Sequence, residues 1–185
     1  TLMTNAPDRE HAVAANNQML ELVRYFFEYQ TDAVEDLGLP NSLKLNHVGC
    51  LVRGDLTDAR TLLAQNDLHV RQQFSSVVLA ETLSRKYQRD VALTILKAEN
   101  QFISYEIFCV TNGALSEAEI AAEIPLSFHV AFLAPEGDLL TLPQPWIPRE
   151  SGINPHEGSR MAYFSNGRTK VELITFPKSL ESVKS

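Results

Sequence analysis

Short apolar runs with the two-residue alternation of β-strands recur through most of the chain after residue 42. Such runs bury one face, and a strand satisfies its backbone hydrogen bonds only by pairing with another strand. The recurrence therefore predicts a β-rich fold in which helices serve as connectors. The runs fall into two series, the first over 43–110 and the second over 126–176.

The first series predicts the order β-α-β-β-β. The segment "LKLNHVGCLVR" (43–53) is typical of a strand, and "GDLTDARTLLAQND" (54–67) of a turn and a short helix capped by Asp55 or Thr57. Three further strand-like runs follow: "HVRQQFSSVVLAE" (69–81), "DVALTILKA" (90–98) and "FISYEIFCV" (102–110). Polar segments such as "SRKYQRD" separate them.

The second series echoes the first after a connector. "TNGALSEAEIAAEIP" (111–125) predicts a short helix with a capping box of Ser116 and Glu119, ended by Pro125. "LSFHVAFLAP" restarts with a strand, and "MAYFSNGRTKVELITF" predicts a hairpin around its Asn-Gly turn. The intervening residues 136–159 carry several prolines and predict a loop-rich cover without a helix.

The N-terminal residues predict a long amphipathic helix from about Ala12 to Leu37, which "GLPNS" ends. This helix is either continuous or broken. Its apolar stripe fits a lid over the sheet, with dimerisation as the second choice. The predicted divisions are an N-terminal extension (1–42), a first module (43–112), a linker helix (113–125), a second, shortened module (126–178) and a tail (179–185).

Composition narrows the function classes. The 185 residues are 44% hydrophobic and 21% charged, as in ordinary globular proteins. The net charge of -7 makes binding to the phosphate backbone of nucleic acid unfavourable. No apolar stretch is long enough for a membrane span, and the first residues lack the features of a signal peptide, so a cytoplasmic location is expected. The two cysteines, Cys50 and Cys109, lie in apolar runs and predict buried side chains rather than a disulfide.

Four ionisable residues interrupt the apolar runs. Each series has a histidine in its first strand, His47 or His129, and a glutamate in its last, Glu106 or Glu172. Alternating side chains allow the histidine and the glutamate of a series to point from one face if the two strands are adjacent. A lone strand histidine is more often a hydrogen-bonded core residue, and a lone strand glutamate is often exposed. The repetition of the pair favours a metal site, since a buried carboxylate is costly unless paired.

The chain resembles the vicinal oxygen chelate superfamily, which includes glyoxalase I, methylmalonyl-CoA epimerase, extradiol dioxygenases and fosfomycin-resistance proteins. The resemblance covers about 43–177 and is carried by "LNHVGCLVRGDLTDARTLLA", "FHVAF" and "NGRTKVELITF". It implies an α+β fold in which two βαβββ modules form a U-shaped mixed β-sheet cleft, here with an added N-terminal helix. The segment after His129 departs from the family's usual second helix.

The resemblance also implies a function. His47, Glu106, His129 and Glu172 occupy the positions of the family's metal ligands, and Glu172 or Glu106 would serve as the catalytic base. The ion would be Fe(II), Mn, Ni, Co or Zn, among which such a donor set does not choose. Expected substrates are small oxygenated molecules such as a 2-oxo or hydroxy acid, a thioester or a catechol. The enzyme would be a lyase or isomerase that stabilises an enolate or oxyanion, or a dioxygenase that uses iron and O₂.

Alternatives stay open at this point. A noncatalytic, glyoxalase-like protein would use the same cleft to bind a small molecule, and a homodimer is a further option. His156 fits a proton shuttle or a solvated loop residue. The tyrosines Tyr105 and Tyr163 neighbour the site strands and are expected, by alternation, to point away from the site.

Overall fold

The computed structural model describes residues 6–154 and 157–178. Over these ranges the chain forms five helices and eight strands, which confirms the α+β class. The helices are α1 (Ala6–Glu28), α2 (Gln30–Asp36), α3 (Leu56–Gln65), α4 (Val78–Tyr87) and α5 (Glu117–Ser127). The strands are β1 (Lys44–Leu51), β2 (His69–Ser75), β3 (Leu93–Glu99), β4 (Ser104–Val110), β5 (His129–Leu133), β6 (Ile147–Ile153), β7 (Arg160–Ser165) and β8 (Lys170–Thr175).

The chain divides into two compact units. The first contains the described residues of 1–28 together with 48–128, and the second contains 29–47 and the described residues from 129 onward. Strand β1 crosses this division, so that its residues up to His47 belong to the second unit. The long N-terminal helix is interrupted at Tyr29, which leaves helical geometry at ψ 44°, and α1 and α2 fall into different units.

The first unit has strands in the order β2-β3-β4-β1. Strand β1 runs parallel to β4, and the other neighbours are antiparallel. Helix α3 starts at the predicted cap, where the Asp55 side chain accepts from the Asp58 N–H at 2.9 Å. Helix α1 is joined to the end of β1 through Asn16, whose side-chain amide exchanges two 3.0 Å hydrogen bonds with the backbone of Arg53.

Helix α4 was not predicted. The segment 69–81 was expected to be one strand, but the strand ends at Ser75 and a helix starts at Val78. Leu79, Leu83 and Tyr87 recur at four-residue steps and pack against the core of this unit. That core is formed by Leu51, Leu83, Val91, Leu93, Ile95, Phe108, Val110, Leu115 and Ile124.

Helix α5 is the last element of the first unit in sequence. The capping box of Ser116 and Glu119 is confirmed, with both side-chain-to-backbone bonds present. The helix continues through Pro125 to Ser127, beyond its expected end. Proline removes one backbone donor without preventing the last turn, and Ser127 completes the end by donating to the carbonyl oxygen of Ile124 at 2.8 Å.

The second unit has strands in the order β5-β8-β7-β6. Strand β5 is parallel to β8, and the hairpin of β7 and β8 is confirmed. Its turn places Gly167 at φ +88°, and the Asn166 side chain accepts from the N–H groups of Arg168 and Thr169 at 2.9 and 2.8 Å. Strand β6 lies in the segment expected to be a loop. All seven of its residues are exposed, which fits an edge strand that tolerates Pro148.

Candidate metal centre

Two histidines and one glutamate meet inside the second unit. Strand β8 places Glu172 opposite Ala131 of the parallel strand β5, and His129 is two residues before Ala131 on the same face. His47 comes from β1, at the last residue of that strand belonging to this unit. All three are buried, with 5% of His47 and 4% of His129 and of Glu172 exposed to solvent.

The three side chains converge on one carboxylate oxygen. Oε2 of Glu172 lies 3.4 Å from Nε2 of His47 and 3.3 Å from Nε2 of His129. The two imidazole rings stand perpendicular, with centroids 5.6 Å apart. Each residue offers one ligand atom within 4.8 Å of the others. Three of the four sequence-predicted positions are therefore brought together.

The charge of Glu172 depends on these neighbours. Burial by itself raises the pKa of the carboxyl group, but the hydrogen bonds from His129 and His47, and their charge, outweigh burial and hold the pKa well below its usual range. Glu172 is therefore an ionised, buried carboxylate at neutral pH. Such a group needs a cation or strong donors beside it, because desolvating an unpaired charge costs several kcal/mol or more.

Asn46 fixes the orientation of the His47 ring. Nδ1 of His47 lies 2.8 Å from the side-chain oxygen of Asn46, which only accepts hydrogen bonds, so Nδ1 carries the proton. A proton on Nε2 then donates toward Glu172, and a metal ion bound in place of that proton would take the Nε2 lone pair. A histidine whose distal nitrogen is held by a polar neighbour is the arrangement common among metal-ligating histidines.

The donor set and its spacing fit a divalent transition metal. Imidazole nitrogen and carboxylate oxygen bind such ions at about 2.0–2.2 Å, which separates neighbouring ligand atoms by about 3.0–3.5 Å. The two distances to Glu172, 3.4 and 3.3 Å, lie in this range. A triad of two histidines and one carboxylate is compatible with a metal site, and its chemistry does not distinguish the metal.

Glu106 lies in the first unit, on β4. It is opposite Lys97 of β3, and its Oε1 is 3.2 Å from the ammonium nitrogen of that lysine. The Glu106 side chain is 12% exposed and that of Lys97 28%. The assignment of Glu106 as a fourth ligand, and of Glu106 or Glu172 as a catalytic base, stays a prediction.

The expectation for Tyr163 is wrong, and that for Tyr105 stays a prediction. Tyr163 is opposite Glu172 in the β7–β8 hairpin, and its ring centroid is 5.8 Å from that of His129. The turn motif alone does not give this pairing, because a two-residue Asn-Gly turn would place residue 163 opposite 170, whereas the hairpin pairs Ser165 with Lys170 and Tyr163 with Glu172. Tyr105 is fully buried, and its hydroxyl contacts the Cys50 sulfur at 2.9 Å.

Several other polar side chains of the first unit have ordinary surroundings. Arg71 pairs with Glu99 at 3.0 Å, and Arg60 contacts Gln73. Burial raises the pKa of the Cys50 and Cys109 thiols to about 12, and neither cysteine forms a disulfide. His156 lies outside the described residues.

Membrane insertion by a helix finds no support in the described ranges, where every helix is too short or too polar to cross a bilayer.

Comparisons with known proteins give structural similarities of low identity. No protein-family model matches the chain, and no curated protein matches it. A hypothetical protein from Bacillus halodurans C-125 is similar at TM-score 0.47 and 13% identity, over 75% of this chain and 98% of that one. Methylmalonyl-CoA epimerase from Mycobacterium tuberculosis is similar at TM-score 0.46 and 16% identity, over 78% and 96%. A mutant 4-hydroxymandelate synthase from Streptomyces coelicolor is similar at TM-score 0.43 and 14% identity, over 76% and 51%.

Proposed function

We propose that the protein is a metal-dependent enzyme in which His47, His129 and Glu172 bind a divalent metal ion and a small oxygenated substrate reacts beside it. The observation that carries the proposal is the convergence of two imidazole nitrogens on one buried carboxylate oxygen, at 3.4 and 3.3 Å. The three residues come from three separate strands, so the chain brings distant positions together at this point.

The polar character of the triad supports metal binding over a packing role. Apolar side chains surround these positions in the sequence, in "VGCL", "VAFL" and "LIT", and a hydrophobic residue at 47, 129 or 172 would continue the strands without a buried charge. Instead the chain buries an ionised glutamate and orients one imidazole through Asn46. An ion bound by such residues offsets the cost of desolvating the carboxylate.

The roles of the residues follow from their chemistry. His47 and His129 would donate ring nitrogens, and Glu172 a carboxylate oxygen. When bound, the ion supplies Lewis acidity toward two adjacent substrate oxygens. Glu172 or Glu106 would accept a proton from the substrate, since a carboxylate within hydrogen-bond reach can act as a general base. Glu106 is further proposed as a fourth ligand, as the sequence resemblance implies.

The test is metal content. Protein purified without an affinity tag or chelator, then titrated with Fe(II), Mn(II), Ni(II), Co(II) and Zn(II), should bind one equivalent per chain. His47→Ala and His129→Ala should each remove stoichiometric binding. His69→Ala is the matched control, because His69 lies on the other unit with 65% of its side chain exposed and should leave binding unchanged.

A wild-type protein that binds none of these ions stoichiometrically would rule the proposal out. That outcome would favour the noncatalytic small-molecule binding protein instead. If Fe(II) does bind, oxygen uptake by the iron-loaded sample would separate an oxygenase from an isomerase or lyase.

A further inference from the structure

Beside the triad, Lys170 and Tyr163 form a second group of polar residues on the same face of the second unit. Lys170 of β8 lies opposite His129 on one side and Ser165 of β7 on the other. Tyr163 lies opposite Glu172. Directly opposed strand residues project to the same side of a sheet, so Lys170 and Tyr163 share the face that carries His129 and Glu172.

The two side chains contact each other as a cation and a ring. The Lys170 ammonium nitrogen lies 4.6 Å from the centroid of the Tyr163 ring. The same ring stands edge-on to His129, with centroids 5.8 Å apart at an interplanar angle of 81°. The cation is therefore linked to the triad through a single aromatic side chain.

Unlike the buried triad, Lys170 and Tyr163 are partly exposed. Within the described part of the chain, the Lys170 ammonium contacts the ring of Tyr163, and no carboxylate forms an ion pair with this ammonium. Three other surface cations differ in this respect, because Arg9, Arg71 and Arg89 pair with Asp58, Glu99 and Glu119 at 2.7, 3.0 and 2.6 Å. Lys170 thus keeps its hydrogen-bond donors available toward a bound molecule.

We propose that Lys170, held against Tyr163, binds a carboxylate of the substrate distinct from the two oxygens at the metal centre. The substrate class is then a 2-oxo or 2-hydroxy acid that carries a second carboxylate, in preference to a catechol or a neutral substrate. This inference rests on the proposed function and deepens it. The Tyr163 ring would fix the position of the ammonium group and form the wall between the two binding points.

The physical reason is the strength of a charge-assisted hydrogen bond. An ammonium group beside a partly desolvated carboxylate forms a shorter and stronger bond than a neutral pair. Replacing the second carboxylate of a ligand by a methyl group removes this bond and leaves the rest of the ligand unchanged. The expected loss in affinity is about tenfold.

The experiment compares two probes on the Co(II)-loaded protein. 2-Oxoglutarate and 2-oxopentanoate share the 2-oxo acid group and differ by a carboxylate in place of a terminal methyl. Dissociation constants come from calorimetry and from the change in Co(II) absorption. The wild type should bind 2-oxoglutarate about tenfold more tightly than 2-oxopentanoate. Lys170→Met should bring the two affinities together by weakening 2-oxoglutarate alone, and Lys170→Arg should keep most of the preference.

Two further variants serve as controls, and a third tests the role of the ring. Lys44→Met removes the same charge from an exposed position of the same unit and should keep the preference. Tyr163→Phe keeps the ring and should also keep the preference, whereas Tyr163→Ala should reduce it. Co(II) uptake, measured first for every variant, shows that the metal centre is intact.

The outcomes separate this inference from the proposed function. A protein that binds no Co(II) overturns both. If Co(II) binds but the wild type takes the two probes equally, or takes neither, only the carboxylate inference is overturned. A preference that persists in Lys170→Met overturns it as well, because the lysine would then have only a packing role against Tyr163.

Discussion

Asn46 is the residue that decides how the His47 ring faces the triad. Its side-chain oxygen accepts the hydrogen bond from Nδ1 of His47 at 2.8 Å, which directs Nε2 toward Glu172. Asn46 is itself exposed, so its replacement changes little of the core. Its effect on a metal site should therefore come through the histidine alone.

We predict that Asn46→Ala lowers metal affinity by about 10- to 100-fold, the usual effect of removing a group that orients a ligating histidine. Asn46→Asp keeps an acceptor in place and should bind metal nearly as tightly as the wild type. Calorimetric titration with Zn(II) measures both, and circular dichroism checks the fold. Wild-type affinity in Asn46→Ala would mean that β1 alone orients the ring.

The residues of the triad could be predicted because each one interrupts an apolar strand. Burial of His47, His129 and Glu172 follows from the neighbours in sequence, and the repeated pairing of histidine with glutamate singled them out. Tyr163 and Lys170 were missed for a different reason. Both are common at strand surfaces, and their position is informative only when the register of β7 and β8 is known.

At the scale of elements, capped helices and tight turns were the most predictable features. The boxes at Asp55 and Ser116, and the turn at Asn166, depend on a few adjacent residues, so the local sequence determines them. Helix α4 and strand β6 were missed, because their stability comes from contacts with distant residues. Leu83 is buried only through the tertiary packing of α4, and β6 exists only by pairing with β7.

The N-terminal cap of α5 should make stability depend on pH. The hydrogen bond from Arg89, followed by that from the Ser116 backbone, lowers the pKa of Glu119 to about 2. Because the folded-state pKa lies below the unfolded one, the ionised carboxylate stabilises the folded state above about pH 4.3, and this contribution is lost as the pH falls toward 2.

We predict that Glu119→Gln is less stable than the wild type at pH 6 and that the difference shrinks by pH 3. Urea unfolding at the two pH values measures it. Glu117→Gln removes an exposed charge from the same turn while keeping the Ser116–Glu119 capping box, and should show a smaller difference. A difference for Glu119→Gln that stays constant between pH 6 and 3 would contradict the assigned cause.

At the scale of the whole molecule, periodicity predicted a β-rich fold with connecting helices and the family resemblance implied its α+β class, whereas neither gave the membership of the two units. Residues 29–47, which include the start of the first series, belong with the strands from His129 onward. This grouping depends on which distant strands pair, and a single sequence does not contain that information. The grouping places both histidines and Glu172 of the candidate metal centre in the second unit.

Hydrogen exchange can therefore locate metal binding within the molecule. A ligand at 100 times its Kd stabilises the folded state by about 2.7 kcal/mol, and amides near the site share that gain when they exchange by local opening. We predict that Zn(II) slows exchange in β5, β8 and the first half of β1, which carry the triad. His129→Ala should abolish the effect.

The same measurement tests Glu106, whose strand β4 belongs to the first unit. If Glu106 is the fourth ligand, Zn(II) should also slow exchange around residues 104–108. Glu106→Gln should remove that part of the protection and leave β5 and β8 protected, with metal affinity lowered. Unchanged exchange in β4 of the wild type, with protection confined to the second unit, would reduce the centre to its two histidines and Glu172. Because the carboxamide of glutamine preserves the shape of the side chain, any change in Glu106→Gln reports the loss of charge and of a ligand oxygen rather than a loss of packing.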